Sequence, residues 1–142
     1  MAMRLASGLP DNYVFPVGTV TAGVAIAEGD ILAINGNVLE RATSSSTIHT
    51  VVGVAAETIT TAATSIKFVP FVQGQLWIVD VANNTATDQL YESMALTDHD
   101  TVNNSGTDVS GATGVFTPFA VTGAAADRKL LGEFTRLQST ST

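Results

Sequence analysis

The chain has 142 residues, 13 Asp and Glu against 6 Lys and Arg, a formal charge of −7 and no Cys. The cations Arg4, Arg41, Lys67, Arg128, Lys129 and Arg136 are scattered, which argues against a nucleic-acid surface, since that needs clustered Lys and Arg. The lack of Cys removes disulfides and thiolate metal sites, and no run approaches the roughly 20 apolar residues of a membrane span.

The expectation is a single domain without a membrane partner. Such a length buries about two thirds of its unfolded surface and needs no staple. The first ten residues lack the apolar centre of a secretory signal, so a soluble protein made in the cytoplasm is expected. Ala, Thr, Val and Gly dominate while Lys and Glu are scarce, a composition that suits short strands and tight turns.

In chain order, residues 1–13 carry Gly8, Pro10, Asp11 and Asn12 and no clean period. They read as an arm rather than a packed element. Residues 14–17 and 19–20 look extended, with Pro16 at an edge or strand start. Glu28-Gly29-Asp30 is a turn. Ile31-Leu32-Ala33-Ile34, Asn35-Gly36 and then Asn37-Val38-Leu39-Glu40-Arg41 form the clearest hairpin, with Asn-Gly suited to a type I′ turn. Residues 43–47 are a Ser/Thr loop.

The stretch 51–81 reads as the centre of the domain. It holds an apolar strand at 51–56, a Thr/Ala/Ser connector, and two extended runs at 66–72 and 76–81 split by Gln73-Gly74-Gln75. β-Branched and aromatic residues fill those runs, so they are expected to pair as a hairpin. Residues 89–95 suit a short helix capped by Thr87 or Asp88, with a strand at 94–97 as the competing reading. Asp98-His99-Asp100 is a turn and 103–114 a long polar loop. Residues 115–121 form a strand interrupted by Pro118. A turn at 123–128 precedes a last strand whose Leu130, Gly132, Phe134 and Arg136 share one side. The sum is an all-β domain, barrel-like or a sandwich, with at most one short helix.

Catalytic and ligand-binding signals are sparse. Asp98-His99-Asp100 offers imidazole and carboxylates suited to zinc or manganese. Adjacent strand residues point to opposite faces, though, and no second His stands at ligand spacing, so the triplet reads as a polar turn. No nucleophile elbow, phosphate loop or zinc-protease motif is present. Glu28 and Asp30 read as solvated turn residues rather than an acid/base pair. Trp77, Phe68 and Phe71 could stack on a sugar, but in so apolar a run they read as core. The expectation is no enzyme, no metal and no cofactor.

Several features together resemble the lambda-type head decoration, or cement, proteins of tailed bacteriophages. These are a Pro/Gly-containing N-terminal arm, Gly29-Asp30 before Ile31-Leu32-Ala33-Ile34, the Val-Gly-Val-Ala-Ala strand at 52–56, the Thr/Ala/Ser connector, and the Phe-rich region at 66–81. Leu96-Thr97-Asp98-His99-Asp100-Thr101-Val102 is similar to a strand-turn-strand of related capsid-associated domains. The resemblance spans about residues 14–102, with a looser match over 103–142. It implies a β-tulip fold with an arm over 1–13, a single β-domain over 14–138 and a disordered tail over 139–142.

It also implies a non-enzymatic role as a homotrimer on the outside of an expanded virion head, made in the bacterial host. The partner would be the major capsid protein. The arm residues Met3, Arg4, Leu5, Leu9, Pro10, Tyr13, Val14 and Phe15 would contact that shell by strand addition. Val54, Ile66, Phe68, Phe71, Trp77 and Ile78 would form the core or the trimer contact. The alternative is a phage tail or surface β-domain that binds carbohydrate or another protein.

Overall fold

Strand β5 (Val51–Ala55) is buried at every position, because it lies inside a five-stranded antiparallel sheet and is covered on both faces. The computed structural model describes residues 3–5, 12–105, 109 and 111–137. Its strands are β1 (Met3–Leu5), β2 (Val17–Thr19), β3 (Ile31–Asn35), β4 (Val38–Arg41), β5, β6 (Ser65–Pro70), β7 (Trp77–Asp80), β8 (Phe116–Val121) and β9 (Lys129–Phe134). They make two sheets, one in the order β2-β6-β5-β3-β4 and the other β1-β7-β9-β8. The protein is an all-β domain, and its sheets do not close into a barrel.

The pairing of β3 with β5 shifts register between Leu32 and Ala33. This bulge breaks the two-residue alternation. Val51 and Val54 therefore both join the core between the sheets, while Val52 and Ala55 join a second cluster with Ile26, Ile59 and Ile66. Loop residues Ile26 and Ile59, linked by an isolated bridge, complete that second cluster. At Gly53 a Cβ would strike the Val69 carbonyl oxygen and Pro70 Cα on β6, so only glycine lets these backbones approach.

The runs at 66–72 and 76–81 do not pair with each other, contrary to the hairpin expectation. β6 pairs with β2 and β5, whereas β7 pairs with β1 and β9. Between them the chain turns from one sheet to the other through Gly74, at φ 92°. Phe71 leads this crossing into the core, where it stacks on Phe134 at 4.3 Å and meets Trp77 edge-on at 5.6 Å. Such aromatic pairs contribute about 0.5–1.5 kcal/mol beyond the area they bury. β9 alternates as its pattern implies, with Leu130, Gly132 and Phe134 buried.

The β3–β4 hairpin is present, one residue out of the expected frame. Asn35 pairs with Val38, leaving Gly36 and Asn37 as the turn residues. Of the two only Gly36 has a positive φ, 66°, which is the type II′ pattern rather than type I′. The short helix expected at 89–95 is replaced by a 3-10 turn at Thr87–Gln89, and a second one occurs at Ala125–Asp127. Residues 94–97 contribute isolated bridges, Met94 to Phe116 and Leu96 to Val102. β8 tolerates Pro118 through a register shift between Pro118 and Ala120.

Candidate functional site

The N-terminal segment differs from the expected free arm. Met3, Arg4 and Leu5 pair antiparallel with Val79, Ile78 and Trp77, so β1 is an edge strand added in cis to the four-stranded sheet. The physical reason is that β7 pairs with β9 on one side only, and its other row of N–H and C=O groups needs partners. Arg4 is exposed. Leu9 and Pro10 lie outside the described residues, as does the expected tail over 139–142. Tyr13 and Phe15 sit with the body instead of the arm. Their rings meet edge-on at 5.0 Å, Phe15 packs on the main core, and the Phe68 N–H donates to the Pro16 carbonyl at 3.2 Å. Val14 is 85% exposed.

Of the expected core or subunit-contact residues, Val54, Ile66, Phe71 and Trp77 are buried, while Phe68 and Ile78 are half-buried. A sugar-stacking platform of Trp77, Phe68 and Phe71 is therefore not formed, because Phe71 and Trp77 are committed to the interior cluster. The Trp77 indole Nε1–H has no hydrogen-bond partner among the described residues. Exposed aromatic surface lies elsewhere. Tyr91, held at φ 68°, donates its N–H to the Pro118 carbonyl and places its ring 6.1 Å from that of Phe119.

A polar cluster occupies the turns at 27–30 and 98–101. Gly29 takes φ 94° and brings Asp30 back under its own turn, where Asp30 Oδ2 accepts the Ala27 N–H at 2.9 Å. Asp30 is only 5% exposed. Its backbone is fixed by the Ala55 N–H donating to the Asp30 carbonyl at 2.9 Å, and the Ile31 N–H donates to the His99 carbonyl at 2.7 Å. These bonds bring His99 Nδ1 to 3.1 Å from Asp30 Oδ1. On the other side of the ring, Nε2 lies 3.4 Å from Arg41 Nη1.

Asp100 completes the group. Ligand atoms of Asp30, His99 and Asp100 all lie within 4.8 Å of one another. Strand alternation does not govern a turn, so His99 and Asp100 converge, and the partner is Asp30, 69 residues away. The Asp98 and Asp100 carboxyls share a hydrogen bond, which pushes Asp100 above the usual carboxylate range, with burial adding to it. The same bond holds Asp98 below that range. A cleft of about 400 Å³ opens beside the group, lined by Glu28, Asp30, Asp80 and Asp100 among others. Asp80 also takes an ion pair from Lys129. No helix among the described residues is long and apolar enough to cross a membrane. No protein-family model matches the chain, and no curated protein sequence does.

Proposed function

We propose that the chain is a non-enzymatic structural protein of a tailed-phage virion. It decorates the outer surface of the expanded head as a homotrimer and braces it against the pressure of packaged DNA. The observation that carries this reading is β1, a three-residue strand held at the open edge of β7. A segment that short, joined through main-chain pairing, is suited to transfer from its own sheet to an unpaired edge of the capsid protein. Each backbone hydrogen bond contributes about 1 kcal/mol net, so one arm binds weakly. Three arms on a trimer gain roughly 10²–10⁴-fold by avidity where the geometry lets them engage together. The order of sequence features over residues 14–102 supports the same reading.

The test combines light scattering with cosedimentation. The expected result is a trimer that pellets with purified expanded heads and stays in solution with immature ones. A monomer that ignores both kinds of head contradicts the proposal.

A further inference from the structure

We infer that Asp30, His99 and Asp100 form a binding site for one divalent first-row transition-metal ion, which ties together the turns of the two sheets. The inference rests on the geometry of these side chains and is independent of the decoration role.

The first support is ligand spacing. Metal–nitrogen and metal–oxygen bonds of about 2.0–2.2 Å place neighbouring ligand atoms about 2.9–3.5 Å apart. His99 Nδ1 and Asp30 Oδ1 lie 3.1 Å apart, and an Asp100 carboxylate oxygen lies within 4.8 Å of both. A modest rotation of the Asp100 side chain closes the set. Asp100 is held only by neighbours on its own turn, its Oδ1 accepting the Thr101 hydroxyl at 2.9 Å and its carboxyl sharing a hydrogen bond with Asp98 that metal binding would replace.

The second support is preorganisation. Asp30 is nearly fully buried, and the N–H of the next residue, Ile31, donates to the His99 carbonyl. The two ligands furthest apart in sequence are thus already positioned. The third support is the cleft. Glu28 and Asp80, the latter paired with Lys129, line it together with Asp30 and Asp100, so carboxylates outnumber the cations Lys129 and Arg41 around the site, and the cleft leaves room for the water ligands of an open coordination sphere. One imidazole with two carboxylates selects a borderline ion such as Zn²⁺, Co²⁺ or Mn²⁺ over Ca²⁺ or Mg²⁺, which prefer all-oxygen sites.

Ligation has a further consequence at His99. Without metal, Nδ1–H donates to Asp30, and Nε2 accepts from Arg41. With metal on Nδ1, the ring proton moves to Nε2, where the facing Arg41 donor must withdraw. Arg41 is exposed and free to swing away. The ion would join the turn that precedes β3 to the 98–101 turn. That second turn runs on to Val102, whose N–H donates to the Asp80 carbonyl at the end of β7. One ion therefore braces one end of the sandwich.

The experiment titrates the metal-free full chain with Zn²⁺ by calorimetry and with Co²⁺ by visible absorption. Long-range nitrogen–proton NMR reads the two imidazoles. The expected result is one equivalent bound, His99 metallated at Nδ1 and protonated at Nε2, His49 unmoved, and a raised melting temperature. His99→Gln and Asp100→Asn should each weaken binding by about tenfold or more. Arg41→Ala should strengthen it, and His49→Gln should leave it unchanged. Absence of saturable binding up to about 1 mM Zn²⁺ overturns the inference, as does full affinity in His99→Gln. If the variants fail to fold, NMR on the unaltered chain decides, and Zn²⁺ that shifts His49 while His99 stays in place overturns it equally.

Discussion

Strands β5 and β1 are held by different forces. β5 has neighbours on both edges and on both faces, and all five of its residues are buried. β1 has one neighbour, three residues and an exposed Arg4 at its centre. Pairing on two edges and packing on both faces fix the first, and the second pairs along one edge only. Ordering a residue costs about 1–2 kcal/mol in backbone entropy, and a hydrogen bond returns about 1 kcal/mol net. For the main chain of β1 the two nearly cancel, as the proposed strand transfer requires, and β5 has two faces of apolar burial besides.

The contrast can be broken first at the core. Trp77→Ala should cost about 3–5 kcal/mol, as expected for a truncated buried aromatic, and denaturant unfolding monitored by circular dichroism reads the loss. Trp77→Phe should cost much less, because the indole N–H has no partner to lose. Next is Gly53→Ala, which forces β5 away from the β6 backbone and should cost about 1–3 kcal/mol through overpacking. The same unfolding experiment measures it.

At the margin the expected effects on stability are small and those on binding large. Arg4→Cys with Ile78→Cys joins directly paired positions of β1 and β7, and no other Cys is present to mispair. Oxidised, this variant should lose head binding by locking β1 in cis, and reduction should restore it. Equal pelleting in both redox states would break the contrast between the two strands.

The parts of the fold set by local pattern were legible in the sequence. β5, the β3–β4 hairpin and the one-sided Leu130, Gly132 and Phe134 of β9 follow from alternation and turn residues. The frame of the turn at Gly36 is not legible, because Asn-Gly is favourable in one frame and Gly-Asn in the next, and only strand register decides between them. The separation of β6 from β7 was not legible. Two apolar runs around a glycine look alike whether they pair in one sheet or cross between two.

The candidate metal site was half legible. The residues of both turns stand out in the sequence, but the meeting of Asp30 with His99 is a tertiary event. The pairing of β1 with β7 was hidden for a similar reason. Met3-Arg4-Leu5 carries no strand pattern of its own, and the open edge that recruits it lies more than 70 residues further on.

The most direct measurement compares the full chain with one lacking residues 1–5 in cosedimentation with expanded heads, beside their melting curves. The account predicts that both melt alike, within about 1 kcal/mol of stability, and that only the full chain pellets. Equal pelleting of the two chains, or loss of the fold on deletion, would contradict it.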